Sequence, residues 1–329
     1  MKYVEKYRPV VFSDLIGQTS ALSIVKNVLS RQNVVHFMFV GSSGCGKTSM
    51  MECIARSRFG DEWRKHTKEF NASSKRGIDA VRDSIIPLLQ LQEELIIFMD
   101  ECDMTEEAQN ALRRPLEKTK NATVIFSTND ESNIIEPILS RCIIIRFKNL
   151  SDADVSTIIV KVIKSEGITF DQNESKIRDG LEYLVKSSHG DLRAALNNLE
   201  KLVDEKKQIT VQNLVSLEKL KVAADALKFA YDGHFKKAQE MIEDVYKNDG
   251  LTPALITQEW YYAIRNNEII KDEDHQRELY KALSNCKYRC SVTSDPLDRL
   301  IHLVAFLTYA HKFPHLEKVC PAMVMKASS

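Results

Sequence analysis

GSSGCGKTSM, residues 41–50, has the spacing GxxxxGK[ST] of a phosphate-binding loop. It follows HFMFV at 36–40, an apolar run of strand length, and it opens TSMMECIARSRF at 48–59, whose apolar residues recur at helical spacing. Strand, glycine-rich turn and helix in that order are the context that gives the motif its meaning. Through Gly41, Ser42, Ser43, Gly44, Cys45 and Gly46 the backbone can curl so that its N–H groups face phosphate oxygens, with the helix N-terminus adding its dipole. Lys47 then reaches the β and γ phosphates, and the Thr48 hydroxyl binds Mg2+, with Ser49 following in the first helical turn. A nucleoside triphosphate with magnesium is the ligand this stretch is built for.

Downstream, three more apolar runs read as buried strands: LIIFMD at 95–100, ATVIFST at 122–128 and CIIIRF at 142–147. A helical pattern, TEEAQNALRRPLEKT at 105–119, lies between the first two. Strands alternating with helices predict an α/β fold, a parallel sheet covered on both faces. The run at 95–100 ends in two carboxylates, at the carboxyl edge where open sheets bind ligands. Asp100 is suited to hold the magnesium through water, and Glu101 to orient or deprotonate an attacking water. Asn129, at the end of the next strand, places an amide within reach of the γ-phosphate or the same water. These parts describe hydrolysis rather than binding alone.

The bulk numbers restrict the setting. Across 329 residues the chain is 43% hydrophobic and 28% charged, a composition of soluble globular proteins that excludes disordered or fibrous classes. Acidic and basic residues balance at 46 each, so no global field draws nucleic acid or anionic lipid, and any DNA contact must be local. MKYVEKYRPVVF carries charges where a signal peptide needs an apolar run, and no window approaches the roughly eighteen apolar residues of a membrane span. An intracellular protein is expected, nuclear in a eukaryote and cytoplasmic otherwise. The seven cysteines are scattered without paired CxxC spacing, which reads as reduced thiols. Cys286 and Cys290 stand one helical turn apart, with no further ligands that would make a metal site.

After residue 150 the strand signal fades, and DADVSTIIVKVIKSEG and ESKIRDGLEYLVKSSHG show helical periodicity. Ser151 is placed to cap the first of these helices, with Asp154 in its first turn. Three parts are expected: an α/β nucleotide-binding core at 1–150, a helical unit at 151–217, and a second helical unit at 218–329 opening with KVAADALKFAYDGHFKKAQEMIEDVY.

Several motifs in a fixed order resemble those of a known family. EKYRP at 5–9 with FSDLIGQ at 12–18 is similar to the N-terminal box of the replication factor C small subunits, sliding-clamp loaders of the AAA+ ATPase class. NASSKRGIDAVRDSI at 71–85, DECD at 100–103, AQNALRR at 108–114, IIEPILSRC at 134–142 with its SRC triplet, and GDLRAALNNLE at 190–200 continue the likeness nearly end to end. The resemblance implies an AAA+ P-loop core followed by an α-helical lid and an α-helical collar that joins subunits into a gapped five-membered ring. It implies ATP as the nucleotide and Val4 and Ile16 as adenine contacts. Arg141 would be an arginine finger acting on a neighbour's ATP, worth roughly 10³ to 10⁵ in rate in related nucleotidases. Arg193, on the lid, would touch the γ-phosphate of its own chain.

The implied partners are sibling subunits including a large one, a sliding clamp, and primer-template DNA gripped by its phosphates without sequence readout. Lys75 and Arg76 are the leading DNA candidates, with Arg82 behind them; the family usually carries acidic residues where Ser74 and Lys75 stand. Three other departures are Cys45 for a common threonine, a turn between the acidic box and Thr105 one residue shorter than usual, and Pro115 inside a helix, which removes a hydrogen bond at about 3 kcal/mol unless the helix bends or ends there. The competing expectation is another AAA+ DNA-processing ATPase such as a helicase loader. A protein-unfolding ring would need an aromatic pore loop, which NASSKRG lacks, and a non-catalytic scaffold would not need Lys47, Thr48, Asp100 and Glu101 intact.

Overall fold

A computed structural model describes residues 1–30, 34–71, 77–102, 104–170, 174–248, 250–265 and 273–312. By packing, the chain forms two compact units, Met1–Thr169 with Leu184–Val203, and Phe170–Tyr183 with the chain from Asp204 onward. The sequence-based division at 150 and 217 follows a change of pattern, whereas the packing groups helices from 152–166 and 192–202 with the nucleotide-binding half.

The first unit is built on five parallel strands: β1 (His36–Val40), β2 (Thr67–Asn71), β3 (Leu95–Asp100), β4 (Ala122–Thr128) and β5 (Cys142–Arg146), in the order β2-β3-β4-β1-β5. The register sets Phe37 beside Ile125 and Ile143, and Phe98 beside Ile125. Alternate residues of each strand point to opposite faces, and both faces are buried, which is why the central strands read as unbroken apolar runs. Met38, Ile97, Met99, Val124 and Phe126 pack on one face against Ala108, Leu112 and Leu116. Phe37, Phe39, Ile96, Phe98 and Ile145 pack on the other against Val25, Met50 and Ile54. β2 was not legible as an apolar run: TKEFN is an edge strand paired with β3 alone, and its side chains stay exposed or half-buried.

Helices α1 (Tyr3–Lys6), α2 (Thr19–Leu29), α3 (Lys47–Phe59), α4 (Glu106–Lys118), α5 (Asp152–Glu166) and α6 (Leu192–Leu202) surround the sheet. Thr105 caps α4 by accepting from the Ala108 N–H. The expected cap on α5 is present: Ser151 Oγ accepts from the Asp154 N–H, and the Asp154 carboxylate accepts in return from Ser151. Pro115 does not stop α4, which runs on to Lys118. It costs the one bond its missing N–H would make to the Ala111 carbonyl; separately, the Leu116 carbonyl, one of the last four that have no partner within the helix, accepts from His36 Nε2 at 3.0 Å.

The second unit contains the helices Val215–Tyr231, Phe235–Lys247, Pro253–Arg265, Glu273–Val292 and Pro296–Lys312. Their shared core centres on Trp260, which is 0% exposed and donates from Nε1 to the Ala223 carbonyl at 2.7 Å. Trp260 is therefore core, while its neighbour Tyr261 is exposed. Strand geometry does return briefly in the second half of the chain, at Thr169–Phe170 and Gln208–Ile209, so the half is not wholly helical.

Candidate active site

The carboxyl ends of β1, β3 and β4 open onto one cavity in the first unit. Its lining includes Ser43 through Ser49, Asp100, Glu101, Asn129 and Arg193, with Val4 and Ile16 at the N-terminal side. Gly41 and Ser42 do not line it; they begin the loop and use their carbonyls to hold Lys47.

The loop's shape is set by two glycines and two outside supports. Gly44 and Gly46 have φ of +68° and +105°, a region open to glycine, and Gly46 leads directly into α3. A Cβ on Gly44 would stand 1.9 Å from Asp191 Oδ1, so the loop and the start of α6 approach closely. Buried Gln18 donates from Nε2 to the Cys45 carbonyl at 3.1 Å and the Lys148 carbonyl at 2.7 Å, and accepts from the Lys148 N–H at 3.2 Å. One amide thus ties the phosphate loop to the segment after β5. The Cys45 side chain is buried, and burial pushes its thiol up.

Lys47 Nζ donates to the carbonyls of Gly41 (2.7 Å) and Ser42 (2.8 Å) and to Asn129 Oδ1 (3.2 Å). Burial lowers its pKa, with Asp100 opposing the shift and Arg193 adding to it, which places all three charges in one electrostatic neighbourhood. Asp100 accepts from the Ser127 hydroxyl and, at 3.2 Å, from the Glu101 N–H. Glu101 takes φ +49°, unusual for a residue with a side chain, and is exposed toward the cavity. Strain of this kind costs about 1–3 kcal/mol and collects at functional sites, where it aims a side chain.

Over 317 residues the chain is 32% identical to the replication factor C small subunit of Natronomonas pharaonis, covering 93% of this chain and 94% of the relative. The Methanosarcina barkeri protein of the same name is 36% identical over 285 residues, 82% of this chain and 84% of the relative. This chain belongs to the replication factor C small-subunit family.

Residues 37–150 of this replication factor C small-subunit homologue match the AAA family, the ATPase family associated with various cellular activities, and the chain is an ATPase of that class. Among solved structures, the Thermotoga maritima RuvB Holliday junction branch migration motor superposes with a TM-score of 0.56 at 16% identity, covering 83% of this chain and 98% of that one; this shows a shared fold. Among the described residues, no helix is long and apolar enough to cross a membrane.

Not every residue singled out in the sequence converges on the cavity. Arg141 lies outside it, paired with Glu117 near the end of α4 and donating to the Pro137 carbonyl. Arg82 is exposed on the helical stretch 78–89 and is also outside the cavity. Lys75 and Arg76 lie outside the described residues. Conversely, residue type and spacing alone do not single out Gln18, Asp191 and Arg8. Arg8 lines the cavity and pairs with Glu52 of α3, while Tyr7 donates to Glu166 at 2.7 Å, so the N-terminal box is pinned to two helices. Their signal was present in EKYRP, FSDLIGQ and GDLR, but motifs mark a region without showing which side chain carries the contact.

Proposed function

We propose that this chain is a subunit of an ATP-driven loader that opens a ring-shaped sliding clamp and places it on primed DNA. The observation that supports this best is that Lys47, Thr48, Asp100, Glu101, Asn129 and Arg193 line one cavity in a chain similar to replication factor C small subunits over nearly its whole length.

The residues present fit MgATP. Loop N–H groups and the α3 N-terminus suit the phosphates, and the apolar side chains of Val4 and Ile16 suit a base. Thr48 and Asp100 would hold the magnesium, which supplies charge neutralisation on the phosphate oxygens. Within that frame Lys47 shifts from its own loop carbonyls toward the β and γ phosphates. Glu101 orients and deprotonates water, and Asn129, already bonded to Lys47, senses the γ-phosphate. Arg193 reports nucleotide state from the lid, residues 151–217. Arg141 leaves Glu117 and neutralises charge on the ATP of a neighbouring subunit, joined through the collar at 218–329. Lys75, Arg76 and Arg82 contact the phosphate backbone of DNA, an interaction that needs only local charge.

The test is to isolate the native assembly and measure its hydrolysis with and without clamp and primed DNA. A five-membered complex with a longer sibling, stimulated by both, is the expected outcome. Glu101→Gln should cut turnover at this chain's sites by about 10² or more while leaving nucleotide binding intact. Arg141→Ala should have a similar effect exerted on the neighbour's site. A closed homohexamer indifferent to a clamp would favour another AAA+ DNA-processing role, such as a helicase loader.

A further inference from the structure

Two thiols in the second unit stand apart from the nucleotide chemistry. Cys286 and Cys290 lie four residues apart on the helix Glu273–Val292, which puts them on one face. Their sulfurs are 4.0 Å apart. Cys286 is 6% exposed, whereas Cys290 is partly open to solvent. Cys286 Sγ lies 3.4 Å from the Arg299 carbonyl and Cys290 Sγ 3.6 Å from the Pro296 carbonyl, both in the first turn of the next helix. The pair therefore occupies the elbow where the chain turns from one helix into the next.

The two sulfurs have different characters. The hydrogen bond with Cys286 holds the Cys290 thiol down, aided by the Arg299 cation and opposed by burial. The same contact, together with burial, pushes Cys286 up. Elsewhere burial raises the thiols of Cys45, Cys53 and Cys142, the last two to about 12, and Cys102 is buried. A partly exposed sulfur with a buried one 4.0 Å away is the arrangement of an attacking and a resolving cysteine, and the directions of the two shifts agree with it.

We propose that Cys290 and Cys286 are an oxidation site: hydrogen peroxide converts Cys290 to a sulfenic acid, and Cys286 resolves it as an intrahelical disulfide. In the first step the Cys290 sulfur bonds to one peroxide oxygen, the O–O bond breaks, and hydroxide leaves and is protonated to water. In the second the Cys286 sulfur bonds to the Cys290 sulfur, the S–O bond breaks, and the departing hydroxide takes the Cys286 proton. Two thiols and one peroxide give one disulfide and two waters.

Residues four apart on a helix are separated by about 6 Å of rise, toward the upper end of the Cα spacing a disulfide bridges. Closure therefore requires the local backbone to yield. The pair lies in the last two turns before Val292, so the part that yields is a helix end rather than its middle. The oxidised form should lose the last turn of that helix and loosen the elbow around Pro296 and Arg299.

The experiment treats the reduced, folded full-length chain with equimolar hydrogen peroxide, counts free thiols and maps cross-linked peptides. The expected result is the loss of two of the seven thiols, recovered as a Cys286–Cys290 disulfide that dithiothreitol reverses. Cys286→Ser should leave Cys290 trappable by dimedone as a sulfenic acid, and Cys290→Ser should abolish the cross-link. Because the wild-type peptide map decides the matter, the outcome does not depend on the variants folding. Preferential oxidation of Cys53 or Cys142, a disulfide from Cys290 to Cys320, or a reaction no faster than in the urea-unfolded chain would overturn the proposal.

Discussion

Gly44 shows how much of the site depends on a missing side chain. Its φ of +68° disfavours any L residue, and a methyl group there would collide with Asp191 Oδ1, the oxygen that caps α6 by accepting from Ala194 N–H at 2.9 Å. Gly44→Ala therefore displaces the loop and uncaps the helix that carries Arg193. Left-handed strain of about 1–3 kcal/mol corresponds to roughly 5- to 150-fold in an equilibrium constant. A fluorescent-nucleotide titration should accordingly show affinity weakened by about tenfold or more, with a lowered unfolding temperature. At this scale the sequence was informative about where Lys47, Thr48, Asp100 and Glu101 lie, because a loop motif opening a helix and an acidic strand end point to one cavity, which all four line. It was silent about Gln18, whose two carbonyl partners lie 27 and 130 residues away. It was equally silent about the left-handed backbone of Glu101, which depends on how β3 ends rather than on the side chain.

Among the elements, β1 and α4 are joined by an interior histidine. His36 accepts from the Val124 N–H at Nδ1 (3.1 Å) and donates from Nε2 to Leu116, which fixes it as the neutral tautomer. Burial lowers its pKa, outweighing the opposing bond to Leu116. In the unfolded chain it titrates near 6.5, so below that pH the unfolded state binds the proton more readily than the folded state does. The stability contribution is present above about pH 6.5 and falls as the pH drops from there toward the depressed folded pKa. Chemical denaturation from pH 7.5 to 5.5 should show that decline, and His36→Gln, which keeps one acceptor and one donor, should flatten it. The buried strands were legible as apolar runs, but β2 was hidden by its edge position. Pro115 looked like an interruption because the sequence does not show that α4 has only its last turn left to run.

At the level of the whole molecule, the two units differ in how openly they are encoded. The nucleotide-binding unit is recorded in contiguous motifs, whereas the second is recorded only as helical periodicity, which marks helices without saying which aromatic is core. Trp260 is the decisive case, since the adjacent run of three aromatics offered no way to choose among them. Trp260→Ala removes a fully buried indole and its bond to Ala223, and should destabilise the second unit by about 3–5 kcal/mol. Denaturant unfolding followed alongside nucleotide binding should show that loss while the phosphate site in the first unit still binds.

The polarity of the sheet has a consequence of its own. Lys47, Asp100 and Asn129 follow or close the carboxyl ends of interior strands, whereas Arg141 directly precedes the amino end of β5, an edge strand running parallel to the rest. Five residues of strand separate the two ends by about 16 Å, too far for one guanidinium to serve both. On the role proposed for Arg141, a subunit donates at one rim of the sheet and accepts at the other. Turnover would then measure company: on dilution the rate should fall faster than the concentration of chain, and hydrolysis would become a record that an assembly has formed.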